Sequence, residues 1–230
     1  MTDYDTFAQA YAAENETSLL NAWYCRPAMV DLTGDVGGRR VLDAGCGSGP
    51  LAAALRDQGA IVSGFDLSPA LVDLARERLG HDSDLLVADL AEPLPYEDDT
   101  FDVVVSSLAM HYLKDWIAPL TELRRILQPG GRLVVSVPHP AAYMFNYQDR
   151  DYFALTQYSE EFEFDGHKNV LTYWHRPLHA MTDAFTEAGF RIEVVSEPPW
   201  SPDTPTELLP ADRGDRTAFV CFLFFVLTAL

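Results

Sequence analysis

The sequence predicts an α/β fold built on a doubly wound parallel sheet. Three observations point there. From Arg40 onward, short apolar strands alternate with amphipathic helical stretches. Glycines 45, 47 and 49 stand at the first strand-to-helix crossing, and acids, Asp66 and Asp89, close the second and third strands. At 230 residues and 48% hydrophobic, the chain reads as one domain, residues 1–230. A chain of this size buries roughly 70% of the surface its unfolded form exposes, which excludes disorder and the need for staples.

Taken in order, residues 40–44 form an apolar strand ended by glycines, 50–58 a helix, and 61–65 a second strand. Ser68 caps the next helix, with Pro69 first and Leu71, Val72, Ala75 and Leu79 along one face. Residues 85–88 give the third strand and 101–108 the fourth. The spacing of Trp116, Leu120, Leu123 and Leu127 predicts a helix over 114–127, after which Pro129, Gly130 and Gly131 turn the chain into a fifth strand at 133–137. A helix over 177–188, stopped by Gly189, and strands over 190–195 and 217–227 complete the pattern. Residues 139–175 fit no strand-helix unit and read as an inserted cap.

Composition removes several classes of function. Sixteen basic residues against 35 acidic ones give a net charge of −19, which repels phosphate backbones and anionic lipid, so nucleic acid and membrane are not expected partners. Three scattered cysteines, 25, 46 and 221, make neither a disulfide framework nor a zinc knuckle. The first 18 residues carry no basic lead or apolar core, and the apolar run at 218–230 is shorter than the ~20 residues of a membrane span. A cytoplasmic setting is expected. No spaced acid cluster suggests a catalytic metal.

The segment VLDAGCGSGP, 41–50, carries the chemistry. Its glycines let backbone approach a ligand closely, and the amides opening the next helix face an electron-rich group. Pro50 stands where the dinucleotide fingerprint wants Gly or Ala, and no Lys-Ser/Thr pair comes after the last glycine, so neither an NAD loop nor a P-loop fits. Asp66, 23 residues beyond Asp43, is placed to accept both hydroxyls of a ribose, and Asp89 to accept from an adenine amino group. These strand ends suggest an adenosine ligand with something other than a pyrophosphate beside the glycines.

At this point the chain resembles the class I S-adenosylmethionine-dependent methyltransferases, in the broad small-molecule group called type 11. VLDAGCGSG looks like that family's first motif and GFDLSPALVDLARERL like its ribose-binding strand and helix. LPYEDDTFDVVVSSLAMHYL looks like its fourth-strand motif, and LRRILQPGGRLVVSVP like its next helix and fifth strand. The resemblance implies a Rossmann-like, seven-stranded, mostly parallel sheet of order 3-2-1-4-5-7-6 with strand 7 antiparallel. It also implies N-terminal helices (1–36) that form a lid and a substrate cap at 139–175. Asp43, Gly45 and Gly47 would line the methionine portion of S-adenosyl-L-methionine, Asp66 the ribose, and Leu67, Asp89 and Leu90 the base. Ser106 and Leu108 would lie near the methionine chain, and Tyr11, with Tyr24 behind it, would close the site. Cys46 counts with the same loop, as a small packed side chain and not as a nucleophile.

Methyl transfer from a sulfonium needs positioning more than acid-base chemistry. Where a base is used, His111 ranks first, His139 second and His175 third, against the plainer reading of His111 as a hydrogen-bonded core histidine. The cap holds ten of the chain's 27 aromatics, which suits a flat or cationic acceptor or an ordinary small core. Glu160, Glu161 and Glu163 would favour an amine or, alternating with Phe162 and Phe164, form the solvent face of a strand. The expected reaction is methylation at O, N or C of a small, aromatic-containing metabolite, leaving S-adenosyl-L-homocysteine and using no metal. A non-catalytic regulator that binds these cofactors, and a methylase of protein or RNA side chains, are the alternatives. The oligomeric state is left open, a homodimer included.

Overall fold

The computed structural model describes residues 3–230, so the first two residues of the expected lid lie outside the described residues. A 3₁₀ turn (Tyr4–Thr6), α1 (Ala8–Thr17), a π-helical turn (Asn21–Cys25) and α2 (Arg26–Thr33) lead into the sheet. The alternating units are β1 (Arg40–Ala44), α3 (Pro50–Asp57), β2 (Ile61–Asp66), α4 (Pro69–Leu79), β3 (Asp84–Val87), β4 (Phe101–Ser107), α5 (Ile117–Ile126) and β5 (Leu127–Pro138). After them come α6 (Pro140–Asn146), a separate hairpin of β6 (Thr156–Phe164) and β7 (His167–His175), α7 (Leu178–Glu187), β8 (Phe190–Ser196) and β9 (Phe222–Ala229).

The main sheet has the order β3-β2-β1-β4-β5-β9-β8, which becomes 3-2-1-4-5-7-6 when the hairpin strands are left uncounted. Strand β9 runs antiparallel to both neighbours. The period of two along each strand divides the core between the two faces of the sheet. Val41, Val103, Val105, Val134, Phe224 and Val226 pack on the side of α2 and α3, against Met29, Leu51 and Leu55. Leu42, Val104, Leu133, Val135 and Phe225 pack on the other, against Leu120, Leu123 and Phe185. Ser68 caps α4 as expected, its side chain accepting from the Leu71 amide.

Two boundaries differ from the sequence expectation by five residues or more. Strand β5 begins at Leu127 because Leu127 already pairs with Phe101, and Gln128–Gly131 bulge out before Arg132 resumes pairing with Val103. Strand β9 begins at Phe222, five residues later than expected, because the carbonyl of Thr217 is taken by the Trp200 amide (3.1 Å) in the loop that precedes it.

The stretch read as a cap is α6 plus the β6-β7 hairpin. Asp165 and Gly166, with φ of 49° and 73°, form the turn. The hairpin's inner face, with Phe164, Leu171 and Tyr173 buried, rests on Tyr4, Phe7, Tyr11 and Tyr112. Glu161 and Glu163 face solvent, while Glu160 alternates inward with Tyr158 and Phe162 and accepts from Asn146 (3.4 Å). The three glutamates therefore do not share one face. Among the described residues, no helix is long and apolar enough to cross a membrane.

Candidate functional site

The glycine loop is built by close approach. Gly45 and Cys46 both donate backbone N–H to the Phe65 carbonyl (2.9 Å each), tying the loop to the end of β2. Gly45 has φ +85°, and a Cβ there would stand 2.5 Å from the Cβ of Ala109, just beyond β4. Gly47, at φ +55°, has nothing within 4 Å of where its Cβ would be, so its face is open. The loop is therefore packed tightly on the sheet at Gly45 and left bare at Gly47.

Around this loop lie two adjoining cavities, a larger and a smaller lobe, that share Tyr11, Gly45, Gly47, Ser107 and Leu108. The larger, about 360 Å³, runs over the ends of β2 and β3 and is lined by Asp66, Leu67, Ala88, Asp89 and Leu90. The smaller, about 60 Å³, reaches under the N-terminal helices to Asn15, Arg26, Asp43 and Cys46. Leu108 sits at the junction with a left-handed φ of 53°. That costly conformation is held by its amide, which donates to both the carbonyl (3.0 Å) and the hydroxyl (3.2 Å) of Ser136.

The N-terminal segment roofs the larger lobe. The Asp5 carboxylate accepts from the Ser68 hydroxyl and from the Ala70 amide (3.1 Å), at the start of α4. The hydroxyls of Tyr4 and Tyr112 are hydrogen-bonded to each other. Glu16 in α1 pairs with Arg26 (3.3 Å) and with Arg78 on α4 (2.6 Å). Both ends of the roof are thus tied to α4.

Charge in the site is concentrated in carboxylates. Asp66 accepts from the amides of Gly47 (2.8 Å) and Ser68 (3.0 Å), yet burial, with Asp5 nearby, lifts its pKa above the usual range. Asp43 is 1% exposed, and burial together with the neighbouring Asp66 raises it to about 7. Its Oδ2 is buried with no hydrogen-bond partner. Arg26, in the same lobe, donates to the Asn15 carbonyl (2.7 Å) and side-chain oxygen (3.0 Å). An unpaired buried carboxylate oxygen and a guanidinium in one small lobe suit the ammonium and carboxylate of an α-amino acid.

The structure gathers most of the sequence-predicted residues here. Tyr11, Gly45, Gly47, Asp66, Leu67, Asp89, Leu90 and Leu108 line the larger lobe, and Asp43 and Cys46 the smaller. Asp89 also accepts from the Ala91 amide (2.8 Å), which fixes the carboxylate at the mouth of β3. The Cys46 side chain packs with Val72, Ala75 and Leu85, away from the larger lobe. Ser106 lies outside both lobes: buried, it donates to the Ala44 carbonyl (3.1 Å), and its neighbour Ser107 lines the cavity instead. Tyr24 is buried among Phe219, Phe222 and Phe224.

The three histidines also lie outside both lobes. They line a separate gap of about 10 Å³ under the cap. His111 is buried, its Nδ1 has no partner, and burial lowers its pKa to about 3. His139 caps α6, with Nδ1 accepting from the Ala141 amide (3.1 Å) and Nε2 3.1 Å from Glu197. His175 donates through Nε2 to the Tyr152 carbonyl (2.7 Å) and stacks on Tyr143. Sequence reasoning passed over Tyr4, Asp5, Asn15, Arg26, Ser107 and Tyr112. The only signal for Arg26 was a lone base in an otherwise acidic N-terminal segment.

Comparison with known proteins bears on the same region. Residues 42–135 match a family described as "Methyltransferase domain". A demethylmenaquinone methyltransferase from Clavibacter sepedonicus is 36% identical over 135 residues, 57% of this chain and 55% of the relative. A malonyl-[acyl-carrier protein] O-methyltransferase from Serratia marcescens is 38% identical over 99 residues, 43% of this chain and 38% of the relative. The matches thus span about half or less of these curated relatives. The crystal structure of an S-adenosylmethionine-dependent methyltransferase from Mesorhizobium loti superposes with a TM-score of 0.65 at 28% identity, covering 88% of this chain and 96% of that one.

Proposed function

We propose, for a chain that belongs through residues 42–135 to the class I S-adenosylmethionine-dependent methyltransferases of the type 11 group, that it transfers a methyl group from S-adenosyl-L-methionine to a small-molecule acceptor. The observation that carries this reading is the pairing of two chemistries in two adjoining cavities that share Tyr11, Gly45, Gly47, Ser107 and Leu108. The lobe with Asp43 and Arg26 fits a zwitterionic amino acid, and the lobe with Asp66 and Asp89 fits a nucleoside. They meet over the bare backbone of Gly47.

In this reading the unpaired Oδ2 of Asp43 takes the ammonium, Arg26 the carboxylate, Asp66 the ribose hydroxyls, and Asp89 with Leu67 and Leu90 the base. Bound there, the cofactor supplies an electrophilic methyl on a positively charged sulfur. The protein's own part is to hold the nucleophile in line and to keep water out. The roof of Tyr4, Asp5 and Tyr11 and the hairpin packed on it serve that enclosure. The same enclosure favours a small acceptor over a protein or RNA side chain. The three free cysteines suit a reducing cytoplasm.

The test is titration of purified protein with S-adenosyl-L-homocysteine, followed by incubation with methyl-labelled cofactor and cell extract and separation of products by size. Saturable binding and label in the small-molecule fraction are expected. Absence of binding overturns the reading; binding without transfer means a sensor, and label in protein or RNA means a macromolecular methylase.

A further inference from the structure

A further cavity, outside the two lobes, bears on the acceptor, on the premise of the reading above. It is a groove of about 360 Å³ between the hairpin and the start of α5, within the ~300–1,000 Å³ of small-molecule sites. The hairpin contributes Trp174 and Gln157, α5 contributes Ala118 and Pro119, and the segment leading into α5 contributes Lys114 and Asp115. None of the residues assigned above to the cofactor lines it. The groove nonetheless adjoins the larger lobe, because Tyr112 and Leu113 line both.

The charge at this groove runs against that of the chain. Of the two lysines in a protein of net charge −19, Lys168 is paired with Glu161 (2.6 Å). Lys114 enters no ion pair among the described residues; its Nζ lies over the Trp174 ring, 5.4 Å from the centroid. Arg176 stands behind it, donating to the Lys114 carbonyl (2.6 Å) and packing 4.6 Å over Trp116. This guanidinium is 9% exposed, its Nε has no partner, and it too is in no ion pair among the described residues. Asp115, the one acid lining the groove among the described residues, accepts from the Ile117 amide (3.0 Å) at the start of α5. Two cations therefore stand against one carboxylate, and an ammonium held on an aromatic face beside apolar wall is placed to take an anion.

We propose that the acceptor carries an anionic group at the end remote from the methylated atom, that this group pairs with Lys114 in the groove, and that the apolar body runs past Tyr112 and Leu113 into the larger lobe. In the transfer a lone pair of the nucleophile at the other end forms the new bond to the methyl carbon as the C–S bond breaks. The bonding pair stays on sulfur, which becomes a neutral thioether, and any proton the nucleophile gives up leaves to water. The group at Lys114 takes no part in that exchange. The product therefore leaves with its negative charge intact, which separates this acceptor from one methylated on the carboxylate itself.

The experiment is calorimetric titration, at low ionic strength, of the protein loaded with S-adenosyl-L-homocysteine, using 2-naphthoate, 2-naphthalenemethanol and 2-naphthylmethylammonium as probes. Naphthoate is expected to bind roughly fivefold or more tightly than the alcohol, and more tightly still than the ammonium, with the preference shrinking as salt is added. Lys114 is exposed, so its variants should fold: Lys114→Gln should abolish the preference and Lys114→Arg should keep it, with affinity for the alcohol and for S-adenosyl-L-homocysteine unchanged in both. Absence of naphthoate binding, equal affinities for the three probes, or a preference that survives in Lys114→Gln overturns the proposal. A second readout uses the labelled small-molecule product made from cell extract, which should be retained on a strong anion exchanger at pH 7; label that flows through also overturns it. Failure of S-adenosyl-L-homocysteine to bind at all overturns the underlying reading instead, so the two failures are distinct.

Discussion

Replacing Asp43 by Asn isolates one buried carboxyl whose ionisation the fold opposes. Burial and the proximity of Asp66 move it from 3.8 to about 7, which at 1.36 kcal/mol per pH unit corresponds to ~4 kcal/mol when fully expressed. The folded carboxyl holds its proton more tightly than the unfolded one. Its contribution is therefore fully present below pH 3.8 and is lost as pH rises through about 7. Between pH 5 and pH 9 the native protein should lose ~3 kcal/mol relative to Asp43→Asn, or roughly 6–12 °C in Tm for a chain of this length. Asp66 is present in both proteins but repels an ionised Asp43, so the difference between them reads the titration of the pair. Urea unfolding without ligand at several pH values measures the difference. Parallel stability curves for the two proteins refute the reasoning. The same carboxyl gives a binding signature: an incoming ammonium at Oδ2 favours the ionised form, so S-adenosyl-L-homocysteine should release part of a proton near pH 7 from the native protein and none from the variant. Calorimetry in two buffers of different ionisation heat reads that proton directly.

Three further outcomes rest on the same geometry. Asp66→Ala should weaken S-adenosyl-L-homocysteine binding at least tenfold, because a buried carboxylate contact contributes more than ~1.4 kcal/mol; calorimetry checks it, and a loss below twofold removes the ribose assignment. Gly45→Ala should fail to fold or lose several kcal/mol, since its Cβ meets Ala109 at 2.5 Å, while Gly47→Ala, facing open space, should fold with only the cost of its positive φ and lose ligand affinity. Thermal melts with and without S-adenosyl-L-homocysteine separate the two glycines. Burial holds His111 neutral down to about pH 3, so its stabilising contribution is present above pH 6.5 and lost as pH falls. Between pH 7 and pH 5 the native protein should lose ~2 kcal/mol more than His111→Leu, as read by urea unfolding, with ligand affinity unchanged.

The half of the site assigned above to the cofactor was legible because local backbone builds it. Glycines at 45, 47 and 49, an acid at the end of each of the next two strands, and Ser68-Pro69 opening α4 are all short-range signals, and each lies where its strand or helix puts it. The sheet order is not a local property, and it entered through the family resemblance. Residue-level direction was harder. Ser106 and Ser107 differ by one step along β4, which sends one hydroxyl to the Ala44 carbonyl and the other to the cavity. His111 and Tyr112 are likewise adjacent in one 3₁₀ turn, and the turn aims the phenol at the cavity and the imidazole beneath the cap. No periodicity read from the sequence distinguishes such neighbours unless the phase of the element is already known.

The wall of the larger lobe toward the hairpin escapes the sequence for a different reason. It is assembled from Tyr4, Tyr11 and Tyr112, with Tyr173 and Phe164 of the hairpin behind them, groups contributed by four separate segments. The contact between Tyr4 and Tyr112 joins positions 108 residues apart. The family match, by contrast, stops at residue 135, before the hairpin begins. The hairpin that backs this wall therefore lies outside the matched segment, while Gly45, Leu108, Ala109 and Tyr112 lie within it. On the function proposed above, substitutions in the hairpin would alter this wall while leaving Asp43, Asp66 and Asp89 undisturbed.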